Sequence, residues 1–499
     1  MKIKILSTLI FLMLLTAFCF GQSVGIGTST PHPSAQLDVS STSKGLLITT
    51  MTSAQRKAIV DPATGLLVFD IDKKTIYFFD GVKWLPMLFS TTEKNPPTYY
   101  SPQTPSTDGQ FGYKVDISGD YAIIGSRNAL VPENAGARSG AAHIFHRTSG
   151  VWEEQDRIFA DDGELDDYFG ASVSINDNFA VIGAWGDDVG ANANQGSVYI
   201  FSRIGDVWSQ QTKITAGDGA ANDFFGYSID ISTSNSLLIG AYGDNIGANI
   251  DQGSAYIYQG SAGIGGFIWA LQAKLTANDG ATGDNFGSSV GIYNNAVIIG
   301  AQADDIGANV DQGSAYTFFR FTNAGGWTTG QNHVQKIVSA DGEASDFFGV
   351  SVDISLTLIV IGASGDDIGA SNDQGSAYIY TYPGGGAPFA MLASKVTASD
   401  GAASDNFGIS VSLGNSTLAI GAYRADDSDG IVNKGAVYIY KSPQFIAIYP
   451  SVFYRKLTDE TGQANGYFGF SVAVSGYDLI VGAYGKNSTN GQIAFLNFE

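Results

Sequence analysis

Cysteine is all but missing from this chain: Cys19 is the only one among 499 residues. It falls in an N-terminal segment that reads as a cleaved leader, so the mature chain has no disulfide and no cysteine nucleophile. Stability must come from packing and architecture. Histidine is nearly as scarce, with His32, His143, His146 and His333. His143 and His146 stand three apart on a strand and point to opposite faces, and no Ser-His-Asp or zinc-ligand spacing includes any of the four. Basic residues are few, 26 against 48 acidic, for a formal charge of −22. Such a surface disfavours nucleic acid and anionic membranes, favours cations, and suits the solubility of an exported protein. The apolar stretch from Ile5 to Phe18 is too short for a typical membrane span. With Lys2 and Lys4 before it and Cys19 and Gly21 at a small-x-small cleavage position, residues 1–21 read as a secretory signal peptide. The expectation is a secreted or cell-surface-associated protein with no transmembrane segment after cleavage.

Glycine is plentiful, at 63 residues, and is placed periodically. Seven Phe-Gly pairs begin at Phe111, Phe169, Phe225, Phe286, Phe348, Phe407 and Phe468, separated by 58, 56, 61, 62, 59 and 61 residues. Each precedes an apolar run ending in Gly-Ala or Gly-Ser, with 14 residues from Phe to that Gly in six repeats and 15 in the third. Six residues before the last six Phe stands another glycine: Gly163, Gly219, Gly280, Gly342, Gly401 and Gly462. Within a unit, Phe348 to Ile354 alternates, Leu358 to Ala363 is nearly continuous apolar sequence, and Gly375 to Tyr380 alternates again. A fourth segment, such as Trp208 to Ala216, carries an aromatic and a basic residue. Each unit is thus four short strands, and the predicted fold is all-β: a seven-bladed β-propeller of four-stranded blades, preceded by a small β-rich N-terminal module. The seventh repeat has no fourth strand of its own after Phe498, whereas Pro97 to Thr107 has no repeat before it. That segment is expected to complete the last blade.

At the Phe-Gly and Gly-Ala positions the chain resembles the FG-GAP repeat family, whose best-known members form the propeller of integrin α subunits. The resemblance covers residues 96–499 and implies a propeller with an extracellular binding or adhesion role rather than a catalytic one. The family's Asp-rich calcium loop between Phe-Gly and Gly-Ala-Pro has no counterpart here, where that interval holds two strands and a tight turn, and the Pro is absent throughout.

Residues 22–95 form a separate unit, read as a stalk or attachment module. Val24 to Thr28, Ala35 to Val39, Lys44 to Leu47, Met51 to Arg56 and Gly65 to Asp70 resemble a leader module common at the N-terminus of exported Bacteroidota proteins. Leu66 to Phe69 and Thr75 to Phe79 read as strands, and Thr52 is placed to cap a short helix running to Val60.

Acidic residues recur in two places. After Gly-Ala come Asp187 and Asp188, Asp244, Asp304 and Asp305, and Asp366 and Asp367, with Asp251, Asp311 and Asp373 before Gln-Gly. These are candidate calcium ligands, set against a role in bonding turn amides. A second set, Asp162 and Asp167 and their equivalents, precedes each Phe-Gly. Carboxylate pairs of this kind can serve glycoside hydrolysis, but recurrence in nearly every blade points to pairing with the repeat's Lys or Arg. Ligand residues belong where repeats differ, after Gly-Ala or Gly-Ser: Arg127, Trp185, Tyr242, Gln302, Ser364, Tyr423 with Arg424, and Tyr484. Sevenfold geometry gathers these on one face, suited to a glycan or an extracellular protein. The alternatives are a polysaccharide-active hydrolase or lyase, which calls for an off-repeat acidic, His or Tyr cluster in the central channel that is not legible in the sequence, and a structural cell-surface component.

Overall fold

The computed structural model describes residues 24–498 apart from short stretches, the longest being 31–36, 87–95, 103–108, 321–325, 382–389 and 442–451. Residues 1–21, read above as a signal peptide, lie outside the described residues. The chain divides into two compact units, Met1–Lys94 and Asn95–Glu499.

In the first unit Val24–Ile26 pairs in parallel with Leu37–Val39. A four-stranded sheet joins Thr50–Met51, Leu67–Asp70, Thr75–Phe79 and Trp84–Pro86. The helix Ser53–Lys57 begins at a capping box between Thr52 and Gln55 and is shorter than the expected run to Val60. Its Arg56 is buried, bonds Asp70 at 2.8 Å and lies 3.7 Å over the Tyr77 ring.

The second unit is a seven-bladed propeller. Blade 1 is Phe111–Ser118, Tyr121–Ser126, Ala141–Thr148 and Val151–Ile158, an antiparallel meander. Blades 2 to 6 repeat it and open at Ser172, Ser228, Phe286, Phe348 and Phe407. Blade 7 takes Ser471–Ser475, Asp478–Ala483 and Gln492–Asn497 and is completed by Thr98–Tyr100, in the register Phe495–Thr98, Ala494–Tyr99 and Ile493–Tyr100. The segment before the first repeat therefore supplies the missing strand.

Blade packing accounts for the apolar runs. The second strand of each blade, such as Leu358–Ala363, is buried along almost its whole length because both of its faces meet neighbouring blades. Among the described residues, seven hydrophobic cores lie between seven pairs of blades. The seventh joins Ile480, Ile493 and Phe495 of blade 7 to Phe111 and Ile124 of blade 1, so the ring is closed.

The Phe-Gly pairs hold successive blades together. Each Phe ring is buried, and each Phe amide donates to a carbonyl of the preceding blade: Phe225 to Gln195, Phe286 to Gln252 and Phe348 to Gln312, at 2.8 to 2.9 Å. The last such bond, Phe111 to Asn490 at 3.2 Å, spans the closure. The following glycine is required: Gly349 has φ of 96°, and a Cβ there would lie 2.3 Å from the Ser314 carbonyl oxygen. Four of the glycines six residues before Phe, namely Gly219, Gly280, Gly342 and Gly401, seat the Gln-Gly side chain of the previous blade, as Gly219 does for Gln195.

Candidate functional site

The first strands of the blades stand around the axis and enclose a cavity of about 250 Å³. The second, third and fourth residues after each Phe line it, from Tyr113, Lys114 and Val115 in blade 1 to Phe470, Ser471 and Val472 in blade 7. Trp185 and Gln302 also reach it.

Aromatic rings gather at this end of the channel. Trp185 stacks on Tyr168 at 4.5 Å and meets Phe224 edge-on at 5.6 Å. Phe224 stacks on Tyr242 at 5.1 Å, and Tyr227 meets Tyr242 at 4.4 Å. A second run leads from Tyr423 to Tyr467 and Phe470, then to Tyr484 and Tyr113. Arg127 joins the two, its guanidinium 3.9 Å over Tyr113 and 5.9 Å from Tyr168. The result is a crescent over blades 6, 7, 1, 2 and 3, open at blades 4 and 5, where Gln302 and Ser364 stand at the equivalent position.

Of the residues chosen from the sequence, Arg127, Trp185, Tyr242, Tyr423 and Tyr484 fall in this crescent, each partly buried against the others. Gln302 lines the channel opposite them, and exposed Arg424 lies 5.1 Å over Tyr423. The sequence reading missed Tyr168, Phe224 and Tyr467 just before Phe-Gly, and Tyr113, Tyr227 and Phe470 just after it. A signal for the first three existed: they occupy positions with φ of 59°, 55° and 55°, which Gln110, Asn285, Phe347 and Asn406 fill in the other blades. A bulky aromatic at such a site is unusual enough to be informative.

The repeated acidic residues form a knot in the blade. In blade 3 the Lys274 ammonium lies 2.7 Å from Asp218 and 2.6 Å from Asp244, and the Tyr256 hydroxyl is 3.0 Å from Asp218. Ser254 donates to Asp244 at 2.5 Å. Lys213 with Asp162 and Asp187, Lys336 with Asp279 and Asp304, and Lys395 with Asp341 and Asp366 repeat the arrangement. Asp188, Asp305 and Asp367 close their turns by accepting the amides of Asn194, Asp311 and Asp373. Asp251, Asp311 and Asp373 have φ of 54°, 53° and 52°, as turn residues do. Seven of the ten candidate calcium carboxylates are thus engaged with lysines, hydroxyls and turn amides, whereas Asp251, Asp311 and Asp373 take part through their backbone amides. Among the described residues no group of three or more acidic or histidine side chains is arranged to hold a metal ion.

One reading of the sequence needs correction. An off-repeat acidic cluster does stand on the channel strands: Asp116, Asp230 and Asp353, five residues after Phe in blades 1, 3 and 5. It escaped notice because a polar residue there continues ordinary strand alternation. Each accepts an amide from the next blade: Ile175 to Asp116 at 2.8 Å, Ile292 to Asp230 at 2.7 Å, and Leu413 to Asp353 at 2.6 Å. Ser174 and Ser412 do the same for Ile231 and Val474. These residues bond inner-edge amides that no further strand can reach. Burial, only partly offset by these bonds, raises Asp116 to about 6 and Asp353 to about 7, and Asp230 well above the ordinary range.

Residues 25–98 match a family described as a phage tail like trimerisation region. The FG-GAP repeat model matches seven times, at 104–145, 152–201, 208–258, 269–318, 332–380, 391–440 and 452–494. No curated protein matches the chain. Since the seven matches cover more than half of the sequence, and the last six each run from the outer strand of one blade through the first three strands of the next, the chain belongs to the FG-GAP repeat family of β-propellers, whose common work is binding and adhesion.

Proposed function

We propose that this chain is an exported, non-catalytic binding protein that presents the crescent face of its propeller to a glycan. The observation behind this reading is the crescent itself: positions that vary between otherwise equivalent blades converge on one mouth of the channel. Aromatic faces beside polar groups are the lining that carbohydrate rings and other amphipathic ligands use. A binding role without catalysis fits the carboxylates, since most of the repeated ones are taken up by lysines or loop amides and the channel ones bond blade amides. Export is consistent with the leader-like residues 1–21. Among the described residues no helix is long and apolar enough to cross a membrane.

The first unit has its own place in this reading. Leu46, Leu47, Val60 and Val82 are 69 to 87 % exposed, far more apolar surface than so small a unit should show to water. With the trimerisation description of the matching family, this supports association through residues 25–98, so that three propellers act together and gain avidity.

A glycan and surface-protein screen of the full chain tests the binding reading. Glycan capture that Trp185→Ala, Tyr242→Ala and Tyr423→Ala together abolish is the expected result. Capture unaltered by the triple variant, or capture of proteins alone, removes it. Light scattering should give about three times the 52.4 kDa of one chain; a monomer would remove the trimer.

A further inference from the structure

The third residue after Phe is serine in six blades and Lys114 in blade 1. Five of the serines donate to the Phe-Gly carbonyl of the next blade, from Ser172 to Gly226 at 2.6 Å to Ser410 to Gly469 at 2.8 Å. Lys114 stands in their place and lines the cavity. Among the described residues it has no hydrogen bond or ion pair, and its ammonium lies 5.7 Å from the Phe470 ring centre. Burial and neighbouring Arg127 pull its pKa below the ordinary value. The described hydrogen bonds of Arg127 go to neutral oxygens, Gln110 Oε1 at 2.6 Å and the Tyr113 hydroxyl at 2.8 Å. The repeat lysines are treated differently: Lys213, Lys274, Lys336 and Lys395 each touch two carboxylates.

Among the described hydrogen bonds and ion pairs neither Lys114 nor Arg127 meets a carboxylate, which leaves both cations able to take an anionic group. We propose that this end of the channel binds a sugar bearing a carboxylate, held by Lys114 and Arg127; the proposal rests on the glycan reading above and specifies its ligand. A guanidinium fork matches a carboxylate, and an ammonium supplies a second point charge. The cavity of about 250 Å³ falls below the ~300–1,000 Å³ of pockets for larger ligands, so it suits one sugar ring while neighbouring rings rest on the crescent. The chain's overall charge repels a dense polyanion far more strongly than a single carboxylate.

The test is titration of the full chain with glucuronate, galacturonate and glucose, read by calorimetry and thermal shift against sodium chloride of equal ionic strength. At least one uronate should bind tighter than glucose. Lys114→Ser, which restores the residue of the other blades, and Arg127→Gln should weaken it about ten- to a hundredfold, as expected for loss of a charged hydrogen bond. Both variants must melt like the parent, and Lys114→Gln serves if the serine variant does not. No stabilisation by either uronate, or equal affinity in parent and Lys114→Ser, overturns the proposal. Sugar binding that Trp185→Ala removes and Lys114→Ser does not would sink the carboxylate and leave the crescent. The reverse pattern would keep the anion site and sink the crescent.

Discussion

Removing residues 96–102 takes one strand out of the last blade and strips that strand's contacts from blade 1. It deletes the pairing of Thr98, Tyr99 and Tyr100 with Phe495, Ala494 and Ile493. It also removes the Tyr100 ring from Phe145 and Phe495, at 5.4 and 5.6 Å, and its hydroxyl from the Trp152 carbonyl at 2.6 Å. Two half-buried tyrosines contribute about 1.5 kcal/mol each, and the lost hydrogen bonds about 1 kcal/mol each. Release of three ordered residues returns about 1–2 kcal/mol apiece. With roughly three to five hydrogen bonds lost, mid-range values of these terms leave a net loss of about 2–3 kcal/mol. Spread over a unit of roughly 400 residues at about 2.1 cal/mol/K each, it lowers Tm by about 2–5 °C. The bare edge of Gln492–Asn497 should also promote association. Calorimetry of the deleted and parent chains measures the shift, and a peptide of residues 95–102 should restore part of it. A melting curve within about 0.5 °C of the parent, with no response to the peptide, would refute closure by this strand.

Stability should peak in mildly acidic solution. Burial raises Asp167, Asp223, Asp284 and Asp346 to about 6, so the folded state holds their protons more tightly than the unfolded chain, and this contribution is lost as pH rises through 6. Asp341 behaves oppositely. Burial works against its charge, but Lys395, Ser339 and Tyr378 hold it at about 2, and its contribution is lost as pH falls through that value. A Tm higher at pH 7.5 than at pH 5 would contradict this account. Because most of the loop carboxylates already have partners and no three acidic or histidine side chains among the described residues converge on one point, millimolar calcium or EDTA should leave Tm unchanged, and a rise of several degrees with calcium would show otherwise. Gly349→Ala forces a Cβ onto the Ser314 carbonyl and should cost about 1–3 kcal/mol or more. Gly369→Ala, with φ of 67° and open space around it, should cost clearly less in urea unfolding; equal losses would mean that conformation alone, not blade contact, requires glycine.

The fold was legible because sevenfold recurrence turns weak signals into strong ones. A lone Phe-Gly says little, but seven at fixed distances from a Gly-Ala step mark one bond made seven times. The missing fourth strand of the last blade was legible by the same comparison. The crescent was half legible: residues after Gly-Ala stood out, whereas the rings of Tyr168, Phe224 and Tyr467 were hidden beside the Phe that defined the repeat. The channel aspartates were hidden for another reason. On a single strand Asp116 is simply the polar member of an alternating pair, and only the neighbouring blade's amide gives it a task. Blade-to-blade contacts of this kind carry no local signature.

The strand that completes the last blade also sets a clock. Thr98 leaves the ribosome long before Phe495, its partner, and at about 5–20 residues per second the wait is roughly 20–80 s. Six blades can collapse during that interval while the segment that locks the ring stays single and unpaired. Folding of this propeller therefore finishes with its earliest strand, and any agent that occupies residues 98–100 during those seconds holds the ring open.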